Sequence, residues 1–194
     1  MSAESKQDLE ARISKALREV QAEIAGAQEL EETRLRCRHD ALLYLSYGSR
    51  SSGMLRSRLC ELGYDSESVA DALRYAEEGG YLNDDELLLR MWQFESERRG
   101  DSVQHFLGRM RQRGFRESSL RLFRERYDTE AVNARCLAIF LKRRQASLLR
   151  ELRDAQREGR KAPGALDKLL RRCQARGFRY EQVLRLLRAA GLRC

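Results

Sequence analysis

The residues of this chain whose type and spacing could do chemistry are arginines. Arg58, Arg109 and Arg172 each stand five positions before a glycine, at Gly63, Gly114 and Gly177, and Arg113 and Arg176 stand one position before two of them. One helical turn separates the two slots, so Arg109 with Arg113, and Arg172 with Arg176, can point the same way. A guanidinium is a rigid fork of N–H donors matched to phosphate or carboxylate, so the chemistry this spacing offers is the holding of anions. Lys142, Arg143 and Arg144 add a basic run, and Arg150, Arg153, Arg157, Arg160 and Lys161 extend it. Glu151, Asp154 and Glu158 lie among them, so part of that stretch can pair within its own helix. The candidate partner- or DNA-binding residues are therefore Arg58, Arg109, Arg113, Arg172, Arg176, Lys142, Arg143 and Arg144.

Catalytic constellations are missing. There is no phosphate-binding loop of the G-x-x-x-x-G-K-[ST] type, no H-E-x-x-H and no G-x-S-x-G. Asp84, Asp85 and Glu86 could act as paired carboxylates, but three acids just after Asn83 fit the positive start of a helix better. Five cysteines (Cys37, Cys60, Cys136, Cys173 and Cys194) form no C-x-x-C pair, and only His39 and His105 could assist them. No metal site, no cofactor and no enzymatic activity is expected. An odd number of cysteines fits a reducing compartment.

The elements that must carry the arginines repeat. Leu59, Gly63, Tyr64 and Val69 recur as Met110, Gly114, Phe115 and Leu120, and again as Cys173, Gly177, Phe178 and Val183. A glycine between two apolar-periodic runs suits a left-handed residue that ends one helix, and the aromatic after it can staple the next. The fold expected is all-α: tandem three-helix repeats in an elongated, curved array, preceded by an N-terminal amphipathic helix. One proline and 13 glycines in 194 residues agree with helix throughout.

The expected boundaries are a helical arm over 1–40 and repeats over 41–85, 86–130 and 131–194, the last interrupted by a loop near 159–165. In the arm, Leu9, Ile13, Leu17, Val20, Ile24 and Ala27 are spaced by three or four, which fits either a helix folded back on the body or a self-association or partner arm. Ala41, Leu42 and Leu45 read as a short helix broken at Gly48. Ser51 or Ser52, Asp65, Asn83, Ser102 and Thr129 are candidate N-caps. Trp92 reads as core, Cys173 as a small buried hydrophobe, and the helix opening the third repeat as one long element from Val132 toward Glu158.

The net charge of +8 is unevenly distributed. Residues 1–40 carry 7 basic and 9 acidic groups, 41–85 carry 4 and 8, 86–130 carry 10 and 8, and 131–194 carry 17 and 5. Such a basic third suits a polyanionic partner, nucleic acid or an acidic protein surface, although a solvated arginine-rich helical surface would have the same composition. No run approaches the ~18 apolar residues of a membrane span, and the first forty residues show no signal-peptide core, so a cytoplasmic protein without a membrane partner is expected.

At these motifs the chain resembles the RecX family, regulators of the RecA recombinase. The matching stretches are Ala41-Leu42, Arg50-Ser51, Leu55-x-x-x-Leu59-x-x-x-Gly63-Tyr64, Gly80-Tyr81-Leu82-Asn83-Asp84, Arg99-Gly100 and Met110-x-x-x-Gly114-Phe115. Met54-Leu55 replaces the family's usual Glu-Leu, and Asp101-Ser102-Val103 its glycine-rich phrase. The resemblance implies a monomer that binds RecA filaments on single- or double-stranded DNA, lies in the filament groove, and restrains recombinase, ATPase and coprotease activity without catalysis. Two other classes fit the residues: a direct DNA-binding protein using the basic C-terminal third, and a helical-repeat adaptor.

Overall fold

The computed structural model describes the backbone of residues 3–192 and the side chains of residues 21, 22 and 25–192. The apolar positions Leu9, Ile13, Leu17, Val20 and Ile24 therefore lie outside the described side chains, and Cys194 lies outside the described residues. Among the described residues the chain is all-α, with no strand. Its helices are α1 (Ala3–Ser46), α2 (Ser52–Glu61), α3 (Ser66–Glu78), α4 (Asp84–Arg99), α5 (Val103–Gln112), α6 (Glu117–Tyr127), α7 (Glu130–Arg144), α8 (Ala146–Arg157), α9 (Pro163–Gln174) and α10 (Tyr180–Ala189). They form two compact units: Met1–Ser49 with Leu55–Leu82, and Arg50–Met54 with Asn83–Cys194.

In the first unit α1 packs on α3, around a core of Cys37, Ala41, Leu55, Leu59, Val69, Leu73 and Leu82. Ala41, Leu42 and Leu45 do not form a short helix of their own; they are the last turns of α1. No glycine or proline interrupts the chain between Gly26 and Gly48, so nothing stops that helix earlier. Two cross-links join α1 to α3: Arg34 Nη2 lies 2.5 Å from Glu67 Oε1, and Arg38 Nε donates to Asp71 Oδ2 at 2.6 Å. Asp71 is buried and also accepts from Arg74. The Arg38 hydrogen bond, more than the opposing burial, holds the Asp71 carboxyl below its ordinary value. Burial, with a hydrogen bond to Asp40, pushes the Tyr64 hydroxyl up to about 12.

In the second unit α5 packs on α6, α4 on α6 and α7, and α7 to α10 close on one another. Trp92 is core, as expected, edge-on to Phe106 at 5.0 Å and to Phe123 at 5.8 Å. The third repeat departs from the expected pattern, because its opening helix is two helices. The break falls at Gln145, with φ −126° and ψ 19°, in a stretch without glycine or proline. Gln145 is buried, and its side-chain oxygen accepts from Arg172 Nη1 at 2.9 Å, so a tertiary contact holds the break. The expected loop is also shorter. Pro163 is in the first turn of α9, where a proline loses no helical hydrogen bond.

The three repeat glycines adopt φ of 88° (Gly63), 74° (Gly114) and 78° (Gly177), as the motif requires. At Gly114 the constraint is double, since a Cβ there would lie 3.0 Å from the Gly53 Cα. Gly159 in the same unit has φ 67° and open space around it. Gly159→Ala should therefore cost about 1 kcal/mol, the left-handed penalty alone. Gly114→Ala should cost at least about 1 kcal/mol more, because the neighbouring backbone must shift as well, and Gly114→Val more still. Denaturant midpoints of the variants check this.

The depressed carboxyl of Asp71 gives a pH signature. A group whose folded pKa lies below its unfolded one adds stability that is complete above the unfolded value and is lost as pH falls through the folded one. The Arg38–Asp71 link should thus be intact at neutral pH and fail below the ordinary carboxylate range. Asp71→Asn should remove that part of the acid-limb slope, as measured by thermal melts from pH 7 to pH 2.

Candidate partner-binding surface

Each motif glycine of the second unit sits against the start of the preceding middle helix. Ser51 and Ser102 both stand twelve positions before a repeat glycine. Ser51 Oγ donates to the Arg113 carbonyl at 2.6 Å, and the Gly53 N–H donates to the Gly114 carbonyl at 2.9 Å. One repeat later the Ser102 N–H donates to the Arg176 carbonyl at 3.3 Å. The start of one middle helix, rich in unpaired N–H groups, thus meets the carbonyls that end the next. The following opening helix supplies a side-chain acceptor to the same place. Asp84 accepts from the Ser52 N–H at 2.8 Å, from Ser52 Oγ at 2.7 Å and from the Arg116 N–H at 3.1 Å. Asn133 Oδ1 accepts from the Val103 N–H at 3.1 Å. The carboxylate of Asp84 is therefore occupied at the starts of α2 and α6, and not only as a charge at the start of its own helix, where its position after Asn83 places it. Asn83, Ser102 and Thr129 also cap their helices.

The arginine slots, read as one outward register, are engaged within the fold. Arg109 and Arg176 converge on Asp101, whose side chain is 3% exposed: Arg109 Nη2 lies 3.1 Å from Oδ2, and Arg176 Nη1 lies 2.8 Å from Oδ1. Arg109 Nη2 also lies 2.5 Å from buried Glu95 Oε2, and Arg113 Nη1 lies 4.0 Å from Glu95 Oε1. Arg172 turns to Gln145, while Arg58, in the first unit, lies 3.5 Å from Glu61. Arg109 and Arg176 are thus held by buried carboxylates, while the side chains of Arg113 and Arg176 stay 48% and 41% exposed. Glu95 and Asp101 escaped the sequence reading as anchors. The signal was present at Glu95, a charged residue on the same stripe as Leu88 and Trp92.

Lys142, Arg143 and Arg144 end α7, are exposed, and form no ion pair among the described residues. Arg150 and Arg153 on α8 are also exposed and have no ion pair there, whereas Arg157 lies 3.9 Å from Asp154 and Arg160 pairs with Glu158. Burial pushes the thiols of Cys37 and Cys136 up to about 11 and that of Cys173 up to about 12, which leaves them inert as nucleophiles. Burial also holds His105 below its ordinary value, against the pull of Asp101. No cluster of three His, Cys, Asp or Glu among the described residues is placed to hold a metal, and no described helix is long and apolar enough to cross a membrane.

Comparison with solved structures places this fold. A crystal structure of RecX from Lactobacillus salivarius superposes with a TM-score of 0.64 at 14% identity, covering 82% of this chain and 97% of that one. A crystal structure of a regulatory protein RecX superposes with a TM-score of 0.66 at 17% identity, covering 83% of this chain and 76% of that one. The chain therefore has the fold of these proteins. No protein-family model matches the sequence, and no curated protein matches it.

The Asp101 network makes a stability prediction. Asp101→Ala leaves Arg109 its contact with Glu95 and leaves Arg176 partly in water, so it should cost about 1–3 kcal/mol, the loss of hydrogen bonds to a buried acceptor. Arg176→Glu should also destabilise, by placing two carboxylates together, whereas Arg143→Glu should stay within about 0.5 kcal/mol of the parent. Urea denaturation of the three variants checks the contrast.

Proposed function

We propose that this protein is a RecX-type regulator that binds RecA filaments on DNA and restrains strand exchange, ATP turnover and coprotease activity by occupying the filament groove. The observation that carries the reading is the shared fold over four-fifths of the chain, with the Leu59–Gly63–Tyr64 and Met110–Gly114–Phe115 motifs in the order the family has them. A repeat array suits such a task. Successive units can touch successive protomers, and contacts that are weak singly add through effective concentration. The protein acts by stoichiometric binding in the cytoplasm, as a monomer and without a cofactor.

The exposed cations Lys142, Arg143 and Arg144 are the part of the original candidate set best suited to the filament. Among the described residues they have no ion-pair partner to give up, unlike Arg109 and Arg176. Arg58, Arg113 and Arg172 are secondary contacts, since each already has a partner within the fold.

Co-sedimentation with RecA filaments on single-stranded DNA, run beside bare single-stranded DNA, tests the proposal. The protein should pellet with filaments, and inhibition of ATP turnover should scale with its molar ratio to filament and not with incubation time. Arg143→Glu/Arg144→Glu should weaken filament binding at least tenfold at an unchanged melting temperature. Failure of the parent protein to pellet with filaments overturns the reading. Equal binding to bare DNA with a steep salt dependence moves it to direct DNA binding.

A further inference from the structure

A groove of about 910 Å³ runs between α7, α8 and α10 in the second unit. Its floor is apolar, with Leu141, Leu149 and Leu186 among the lining residues, and the exposed methyls of Ala146, Ala189 and Ala190 keep it open. Lys142, Arg150 and Arg153 line it as well, and none of them forms an ion pair among the described residues. The one acid lining the groove, Asp154, is engaged at 3.9 Å by Arg157. Leu149 and Leu186 pack against the core from one side and are only partly buried.

We infer that this groove docks an acidic amphipathic helix of a partner protein. Charge complementarity selects the occupant: three cations without ion pairs among the described residues rim an apolar floor, so the matching ligand carries carboxylates flanking an apolar stripe. The walls are helices whose backbone groups bond internally, so an extended peptide finds no edge to pair with. A helix brings its own backbone hydrogen bonds and needs only the apolar slot, with anchors at i, i+3 or i+4 and i+7. Nucleic acid fits less well. Its phosphates suit the rim, but no aromatic lines the floor to stack a base, and apolar leucines give nothing to a sugar-phosphate chain. The groove shares Lys142 with the cations proposed for the filament but not Arg143 or Arg144, and the inference does not depend on RecA being the partner.

The probe is a synthetic capped 15-residue peptide of Glu and Ala with Leu at positions 4, 8 and 11, labelled with fluorescein. It is titrated by anisotropy against the full chain and compared with the same peptide carrying Ser in place of each Leu. The Leu peptide should bind at least tenfold tighter than the Ser peptide. Arg150→Glu/Arg153→Glu should weaken it tenfold or more, and so should Ala189→Glu, an exposed change inside the slot that leaves the melting temperature in place. Unlabelled oligo-dT of 15 nucleotides should compete poorly. Equal binding of the Leu and Ser peptides, insensitivity to Ala189→Glu in a folded variant, or competition by oligo-dT at the peptide's own concentration each overturns the inference, the last in favour of nucleic acid. Filament co-sedimentation by Arg150→Glu/Arg153→Glu separates the two ideas: its retention alongside lost peptide binding leaves both standing.

Discussion

The first turn of a helix has N–H groups that its own backbone cannot satisfy, and in the second unit those of the middle helices are met by the following repeat. The Ser52 and Gly53 N–H groups go to Asp84 and to the Gly114 carbonyl, and those of Ser102 and Val103 go to the Arg176 carbonyl and to Asn133. A buried N–H left without a partner costs about 1–3 kcal/mol, so within the second unit this exchange sets the distance between each helix start and the glycine turn it meets. It also explains why the glycines are needed twice over. The left-handed turn aims the carbonyls of Arg113 and Gly114 at the neighbouring helix start, and a side chain there would push the two backbones apart.

That close stacking brings charges together, and the fold sorts them. Where Asp101 and Glu95 are drawn inside, arginines must follow, because a buried carboxylate is tolerable only when paired. Arg109 satisfies both acids from one side, and Arg176 reaches Asp101 from the next repeat. The basic composition of the C-terminal third therefore divides into a structural share and a free share. Its free share includes the end of α7 and the outer face of α8, where Lys142, Arg143, Arg144, Arg150 and Arg153 stand without ion pairs among the described residues, and extends to exposed Lys168, Arg171, Arg179 and Arg188 on and beside α9 and α10. An anion approaching the protein meets that share first, and the desolvation cost of engaging it is small because those side chains are already in water.

The break at Gln145 belongs to the same logic. A single helix from Val132 to Glu158 would satisfy the apolar periodicity, and no residue in it is a breaker. The chain turns there because α8 then packs on α9, which buries Leu148 and Ala155, and because Arg172 holds the Gln145 side chain in the bend. The same turn separates α7 from α8 by enough to leave the groove between them and α10.

Local signals carried most of the architecture. The Gly-aromatic repeat, the caps at Asp65, Asn83, Ser102 and Thr129, and the apolar stripe through Trp92 are each written in residues within a turn or two of one another, so helix ends and core faces are legible in sequence. The exposed cations at Lys142, Arg143 and Arg144 are legible for the same reason, as a run with no acid within a helical turn. What only the tertiary structure decided is where the arginine slots point. Arg109 and Arg172 look equivalent along the chain, as do Arg113 and Arg176, yet Asp101 lies 8 and 75 positions from Arg109 and Arg176, and Gln145 lies 27 from Arg172. Partners that far apart in sequence leave no periodic trace. Whether a guanidinium turns inward or outward depends on which carboxylate the stacking of repeats brings beside it, and at a buried site an available carboxylate outcompetes water.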